Sequence, residues 1–336
     1  MVLSDGGEGT GERPRELCVF APWPLVTVAI EKALEDGADD VHVRAGGQGV
    51  WVARMAASLG AAATLVGPFG GRTGRASVAM LRDEGLAVRA VEVAGSNGCY
   101  VHDRRDGGTR DEIAYMRPAR LDRHEVDDLM DAVLAEGMRC GTAVLTGVRQ
   151  GEVFDPALFG VLARDLAANG VEVVADLAGA PLAAIEEGLG VLKISHEEML
   201  ADGYAEGETW SDLARAMDRL AGRARDVVVS RAARGTLARV DGRFWLACPP
   251  TVTPRDPTGA GDSMTGGLAA ARVRALAAPD MLRLATAAGA LNVTRRGRGT
   301  GSGEDVGAFS ERVEVREVDP GDLDREEEAG DRRAAG

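Results

Sequence analysis

The 336-residue sequence has almost no lysine. Only Lys32 and Lys193 interrupt a set of positive charges otherwise supplied by arginine. Its 39 positive residues fall short of 53 Asp and Glu, for a formal net charge of −14. That balance excludes nucleic-acid backbone binding, which needs clustered positive charge, and an anionic membrane surface as partner. Aromatic residues make up 4% of the chain against 45% hydrophobic residues, so the core must be built mainly from Ala, Val and Leu. Cys18, Cys99, Cys140 and Cys248 are scattered without a CxxC pair. Buried reduced thiols in a cytoplasmic protein are the expectation. The four histidines show no metal-ligand spacing. No apolar run approaches the ~18 residues of a membrane span, and the N-terminus lacks the apolar stretch of a signal peptide. No Gly-Lys pair occurs, which excludes a P-loop, and no Gly-x-Gly-x-x-Gly follows a strand-like run. A Gly-x-Ser-x-Gly nucleophile elbow is also missing.

What the chain does contain is alternation. Residues 1–16 and the acidic tail 319–336 have the composition of disordered segments, leaving an ordered region over 17–318. Within it, strand-like runs such as 17–20, 63–66, 143–145, 171–175, 191–194 and 227–230 alternate with helical patterns at 50–59, 76–84, 157–168, 210–220, 259–271 and 281–293. Such alternation predicts βαβ units around a parallel sheet. Two polar, strand-like excursions, over about 25–45 and 98–117, break the pattern. The second carries the hairpin dipeptide Asp106-Gly107, and together they predict a small β lid outside the parallel sheet.

The stretch Thr258-Gly259-Ala260-Gly261-Asp262-Ser263, ahead of an Ala/Gly-rich helix, carries the chemistry. Glycines leave backbone N–H groups open to an anion, and the helix N-terminus adds partial positive charge. Gly259, Ala260 and Gly261 thereby form a cradle for phosphoryl oxygens, and Asp262 stands at its mouth as a candidate general base. Helix capping alone would account for an Asp or Ser here, but a cap needs one polar residue and not two preceding glycines.

This run resembles the signature of the ribokinase-like sugar kinases, in the phosphofructokinase-B branch with the 1-phosphofructokinases and tagatose-6-phosphate kinases. Further stretches resemble the family in order and spacing: Ala45-Gly46-Gly47-Gln48-Gly49-Val50-Trp51, Leu145-Thr146-Gly147, Asp176-Leu177-Ala178-Gly179, Lys193-Ile194-Ser195-His196-Glu197-Glu198, Ser230 with Gly235, and Asn292 in a late helix. The resemblance implies a three-layer α/β/α sandwich with a mostly parallel central sheet and a β lid. It also implies a carbohydrate kinase that uses ATP and Mg²⁺. Asp262 would be the base. Lys193, Ser195, Ser230, Gly235, Thr258 and Asn292 would line the ATP site, and Glu198 would order the hydrated metal. For Glu198 and Asn292, plain helix-start and helix-surface roles stay open.

The acceptor side departs from the family pattern. Leu25 stands where relatives carry a sugar-binding Asp, Gln48 where they carry Lys, and Trp51 where they carry Asn. With Gly46 and Gly47, these are the candidate acceptor residues. Trp51 is either a core aromatic or a wall for a less hydroxylated acceptor. Arg110 is either a solvated charge or a substitute for the missing Lys. The expected partner is a small-molecule acceptor, a sugar or sugar phosphate, and an exposed lid strand suits a homodimer. The alternative is a regulatory pseudo-kinase that keeps the ATP site and has lost sugar-kinase activity.

Overall fold

A computed structural model of the chain describes residues 16–33, 35, 37–105, 111–148, 153–295 and 297–327. Its strands are β1 (Glu16–Phe20), β2 (Leu25–Lys32), β3 (Asp39–Gly46), β4 (Ala62–Gly70), β5 (Ala87–Val93), β6 (Gly98–Asp103) and β7 (Asp111–Met116). They continue with β8 (Thr142–Thr146), β9 (Glu172–Asp176), β10 (Leu189–Ser195), β11 (Ala224–Ser230), β12 (Thr236–Val240), β13 (Arg243–Cys248) and β14 (Glu314–Val318).

The inner strands are apolar throughout because both their faces are covered; every residue of β8 is buried. Successive side chains go to opposite cores. In β11, Val227 and Val229 join Trp210 and Leu213 on one side, while Val228 joins Leu268 and Leu282 on the other. A one-residue slip would exchange the two sets, so the pattern pins the register. Helices Arg123–Cys140, Leu158–Ala168 and Trp210–Leu220 cover the first face. Helices Gln48–Ser58, Ala260–Val273 and Ala278–Val293 cover the second. The middle helix of that second layer is held unusually close to its neighbours. A Cβ on Gly266 would stand 2.8 Å from the Val52 carbonyl, and one on Gly267 would stand 2.8 Å from Ala285 Cα. The Gly and Ala content of this helix is therefore a packing requirement.

The large sheet has the order β14-β13-β12-β11-β10-β9-β8-β1-β4-β5. It is parallel from β11 to β5 and antiparallel from β11 outward to β14. From β1 the chain builds toward β4 and β5 on one side and β8 to β11 on the other, so a crevice opens where the order reverses, at the carboxyl ends of the strands. The expected lid is a second sheet, β3-β2-β6-β7. The Asp106-Gly107 turn lies outside the described residues, and the strands on either side of it pair antiparallel as expected.

The chain differs from expectation past residue 318. Residues 323–327 are helical, Leu323 is fully buried, and Glu327 reaches Arg231 at 2.7 Å and Arg234 at 2.6 Å. Charge density suggested disorder, but these acidic residues have specific cationic partners that lie far away in sequence. Among the described residues, no helix is long and apolar enough to cross a membrane.

Candidate active site

Four strand ends supply one side of the crevice. β8 ends at Thr146, whose hydroxyl donates to the Phe20 carbonyl at 2.7 Å and ties the ends of β8 and β1 together. β9 ends at Asp176, β10 at Ser195 and β11 at Ser230, with Ser195 and Ser230 side by side in the parallel register. Opposite them stands the amino end of helix Ala260–Val273. Its cap, Gly259, has φ +86°, a left-handed conformation that an L side chain rarely adopts. That turn brings Gly261 against Lys193: a Cβ there would lie 2.5 Å from Nζ.

Lys193 and Asp176 are a buried pair, Nζ to Oδ1 3.2 Å, with side chains 5% and 4% exposed. Thr265, one turn into the helix, donates its hydroxyl to Asp176 Oδ2 at 2.7 Å. Burial alone would lower the Lys193 ammonium, but the Asp176, Glu198 and Asp262 carboxylates outweigh it and hold it above its ordinary value. Asp262 lies deep in the crevice with an accessible edge. Burial, reinforced by the Asp176 charge, pushes its carboxyl up to about 7. The Lys193 charge and a hydrogen bond from Gln48 oppose that rise, while Glu198 adds to it.

The structure assigns several sequence candidates other surroundings than expected. Leu25 is 1% exposed and packs in the core at the base of the lid, so it faces no ligand. Gln48 accepts from the Gly147 N–H at 2.7 Å and donates from Nε2 to the Asp176 carbonyl at 3.4 Å. It thus ties the Gly-Gly loop to the ends of β8 and β9, beside Asp262. Gly46 lies against the Trp51 ring, and Gly47, at φ +108°, passes 2.5 Å (from a would-be Cβ) under the Trp23 carbonyl. Asn292 is 1% exposed. Its amide accepts from Ser263 and the Gly299 N–H and donates to the Thr258 carbonyl, all at 3.0–3.1 Å. It pins the loop at Thr258 and is spent on protein partners. Ser195 and Glu198 form a reciprocal helix cap, Glu198 Oε2 accepting from both N–H and hydroxyl of Ser195 at 2.8 Å. Gly235 makes the β11–β12 turn at φ +109°, where any Cβ would meet the Ala247 carbonyl. Arg110 lies outside the described residues.

Beneath the lid lies a cleft of about 690 Å³, lined among others by Arg44, Trp51, His102, Arg104 and Arg298. Arg298 stacks its guanidinium 4.6 Å over the Trp51 ring. Arg104, leaving β6, reaches Asp256 at 2.5 Å and so joins the lid to the loop that leads into Gly259. Burial would raise Asp256, but Arg104 and the Thr258 N–H hold it below the usual carboxylate range. Sequence reasoning assigned no role to Asp176, Arg44, Arg104 or Arg298. For Asp176 a signal was available: a carboxylate closing an otherwise apolar strand, on the side where such sheets bind ligands. Nothing local marks the three arginines among so many.

A doubly wound sheet with a helix-borne anion cradle, a deep carboxylate and a β lid defines a phosphoryl-transfer enzyme. The profile described as "pfkB family carbohydrate kinase" matches residues 25–304, and the chain belongs to that family, with its ribokinase-like fold. The ATP-dependent 6-phosphofructokinase isozyme 2 of Escherichia coli strain K12 is 29% identical over 268 residues, 78% of this chain and 85% of the relative. A 1-phosphofructokinase of Haloferax volcanii is 27% identical over 312 residues, 90% of this chain and 99% of the relative. The crystal structure of E. coli phosphofructokinase-2 in complex with potassium superposes with a TM-score of 0.80 at 25% identity, covering 88% of this chain and 98% of that one.

Proposed function

We propose that this kinase transfers the terminal phosphoryl group of ATP to a hydroxyl of a sugar phosphate or related small molecule, with Asp262 as general base. One observation carries the assignment: a carboxyl with an open edge, raised to about 7, at the amino end of a helix and beside Lys193. A base tuned near the working pH combines a useful ionised fraction with real basicity, an effect typically worth ~10²–10⁴-fold. As the acceptor oxygen bonds to the terminal phosphorus, the bridging P–O bond breaks, ADP leaves, and the acceptor proton passes to the Asp262 carboxylate. The N–H groups of Gly259 and Gly261 donate to the transferring oxygens, joined by that of Ala260 once it leaves the Pro257 carbonyl, which it meets at 3.3 Å, and the Lys193 ammonium offsets their charge. Ser195, Ser230, Gly235 and Thr258 border the groove left for the nucleotide. The E. coli relative is an ATP-dependent 6-phosphofructokinase, which supports ATP as donor.

Mg²⁺ keeps much of its water and takes ~1–2 carboxylates plus phosphate oxygens. The described residues hold no group of three or more His, Cys, Asp or Glu fit for a metal, which suits an ion carried mainly by the nucleotide. Glu198, already oriented by Ser195, would hold its water shell, and the ion would neutralise phosphate charge. Closure of the lid over the cleft would exclude water from the transfer.

Support for a homodimer comes from the outer lid face, where Val41 and Val43 are 56% and 54% exposed and Met116 is 44% exposed. Val41 and Val43 lie opposite Ile30 and Val28 across the β2–β3 ladder, so the apolar residues share one face. A second copy of this chain is the natural cover for such a surface.

The test is ADP release from Mg·ATP across a panel of sugars, sugar phosphates and nucleosides, with Asp262→Asn beside the unaltered chain. An acceptor whose turnover drops ~10²-fold or more in Asp262→Asn upholds the assignment. ATP binding without acceptor-dependent turnover on the whole panel would replace it with the regulatory pseudo-kinase reading.

A further inference from the structure

We propose that Glu327 is a positioning residue for the nucleotide: the carboxyl-terminal strap that carries it clamps the β11–β12 turn in the shape the nucleotide groove requires. The inference rests on Ser230 and Gly235 bordering that groove, as in the function proposed above. The strap runs on from β14 and lies past the stretch that the family profile matches, residues 25–304. It is moored along its length. Leu323 is fully buried, Ser211 donates its hydroxyl to Asp324, and Arg316 pairs with Glu326. Glu327 then gathers donors from two other segments. Oε1 and Oε2 each accept from Arg231 Nη1 at 2.7 Å, Oε1 accepts from Arg234 Nη1 at 2.6 Å, and Oε2 accepts from the Trp210 N–H at 3.1 Å. Arg231 and Arg234 belong to the turn, and Trp210 opens the helix Trp210–Leu220.

The backbone of this turn explains why a clamp is needed. Arg231 N–H donates to the Gly235 carbonyl at 2.8 Å, Arg234 N–H to the Arg231 carbonyl at 2.9 Å, and Gly235 N–H to the Ala232 carbonyl at 3.3 Å. These bonds close with Gly235 at φ +109° and Ala232 at φ +45°. Glycine takes such a conformation freely and alanine does not. A residue held there persists only where its surroundings over-determine it. On one side of Ala232, the Arg231 side chain is 4% exposed, and its guanidinium lies 4.9 Å over the Trp210 ring. On the other side, Arg234 is half-exposed and ends on the same carboxylate. Glu327 therefore draws the two ends of the turn together and docks them on the helix. Ser230 leads directly into the turn and Gly235 closes it, so a shift of the turn moves both residues that border the nucleotide. Without the carboxylate, the Arg231 charge would stay buried beside Arg234 with its partner gone, a costly arrangement that the turn would relieve by rearranging. Glu327 touches no reacting atom and acts only through the turn.

Calorimetric titration with Mg·ADP and amide hydrogen exchange, both on the full chain, test the clamp without turnover. In the unaltered chain, Mg·ADP should slow exchange at the Arg234 and Gly235 amides. Glu327→Gln should speed their exchange and weaken Mg·ADP at least ~10-fold, a margin of ~1.4 kcal/mol, with the circular dichroism spectrum retained. Glu327→Gln/Ala232→Gly should recover most of that affinity, because glycine holds the left-handed turn without the clamp. A strap with a merely structural role would show no such rescue, and that result overturns the proposal. Should Glu327→Gln fold poorly, Arg234→Gln keeps the test open: it leaves Arg231 paired with Glu327 and should cause a smaller loss of the same kind. Unchanged Mg·ADP affinity in these variants overturns the clamp. Tighter binding overturns it too, since the strap would then compete with the nucleotide for the two arginines. The two readings fail separately. If Mg·ADP slows exchange at the turn but the variants bind it normally, only the clamp falls. If Mg·ADP binds the unaltered chain without slowing that exchange, the nucleotide lies elsewhere and the placement of its groove falls with the clamp.

Discussion

The two halves of the crevice are built on opposite plans. At the Lys193 end, the charged groups around Asp262 have answers within the protein. Lys193 has Asp176, Asp176 also has Thr265, and Glu198 is capped by Ser195. Under the lid, two arginines are left without a carboxylate among the described residues, and the outer lid face leaves Val41 and Val43 in water. The contrast shows where preorganisation is needed. Phosphoryl transfer is stabilised by dipoles and charges that do not have to reorganise during reaction. The lid instead keeps charge and apolar surface uncommitted, at the cost of a surface that attracts other partners.

The strongest challenge to this contrast is Lys193→Met. Removing one partner of a buried pair leaves an uncompensated charge, so Asp176 should cost the fold ~3–5 kcal/mol, measured as a drop in the urea unfolding free energy. A loss below ~1 kcal/mol would mean that the transfer end is not held together by this pair. Equivalent removal of Arg44, which has no carboxylate partner to strand, should cost well under ~1 kcal/mol.

The pH profile sharpens the same point. Asp262 must be ionised to act as base, so kcat/KM should rise about tenfold per pH unit below about 7 and level off above it. Because the Lys193 charge lowers Asp262, Lys193→Met should move the midpoint upward. A flat profile from pH 5 to 9 would contradict the raised carboxyl. Stability has the opposite sign. The folded chain holds the Asp262 proton to higher pH than the unfolded chain, so this group costs stability as pH rises from the ordinary aspartate range to about 7. Asp262→Asn should accordingly raise the melting temperature at pH 8 and leave it unchanged below the ordinary aspartate range.

The smallest effect is expected on the lid. Val43→Lys places a charge on the apolar outer face and should shift sedimentation toward the monomer, with little change in monomer stability (within ~0.5 kcal/mol). An unaltered chain that is monomeric at micromolar concentration would remove the lid face as an assembly surface.

Much of the fold was legible in the sequence because it is written in local periodicities. Apolar runs of strand length alternating with helical patterns implied the parallel sheet, and the polar excursions at about 25–45 and 98–117 implied the lid. The Gly259–Asp262 stretch stood out as a candidate for the same reason: the role proposed for it is carried by neighbouring backbone groups. What sequence reasoning misjudged depends on partners far apart in the chain. Family resemblance set Leu25 at an acceptor position and Asn292 at the nucleotide, with a helix-surface role open for the latter; in the structure Leu25 is core and Asn292 pins Thr258 and Gly299. The acidic segment after 318 reads as disordered until Glu327 is seen between Arg231 and Arg234.

By itself, then, the sequence determined the α/β layering and pointed to the Gly259–Asp262 stretch as the candidate site, since each follows from residues within a turn or two of one another. Only the tertiary structure decided which charges neutralise each other. It set Lys193 against Asp176, tied Gln48 to Gly147 and the Asp176 carbonyl, and left Arg44 and Arg298 without a carboxylate partner among the described residues. The physical reason is that a charge takes its meaning from whatever lies within a few ångströms, and folding chooses those neighbours from anywhere in the chain.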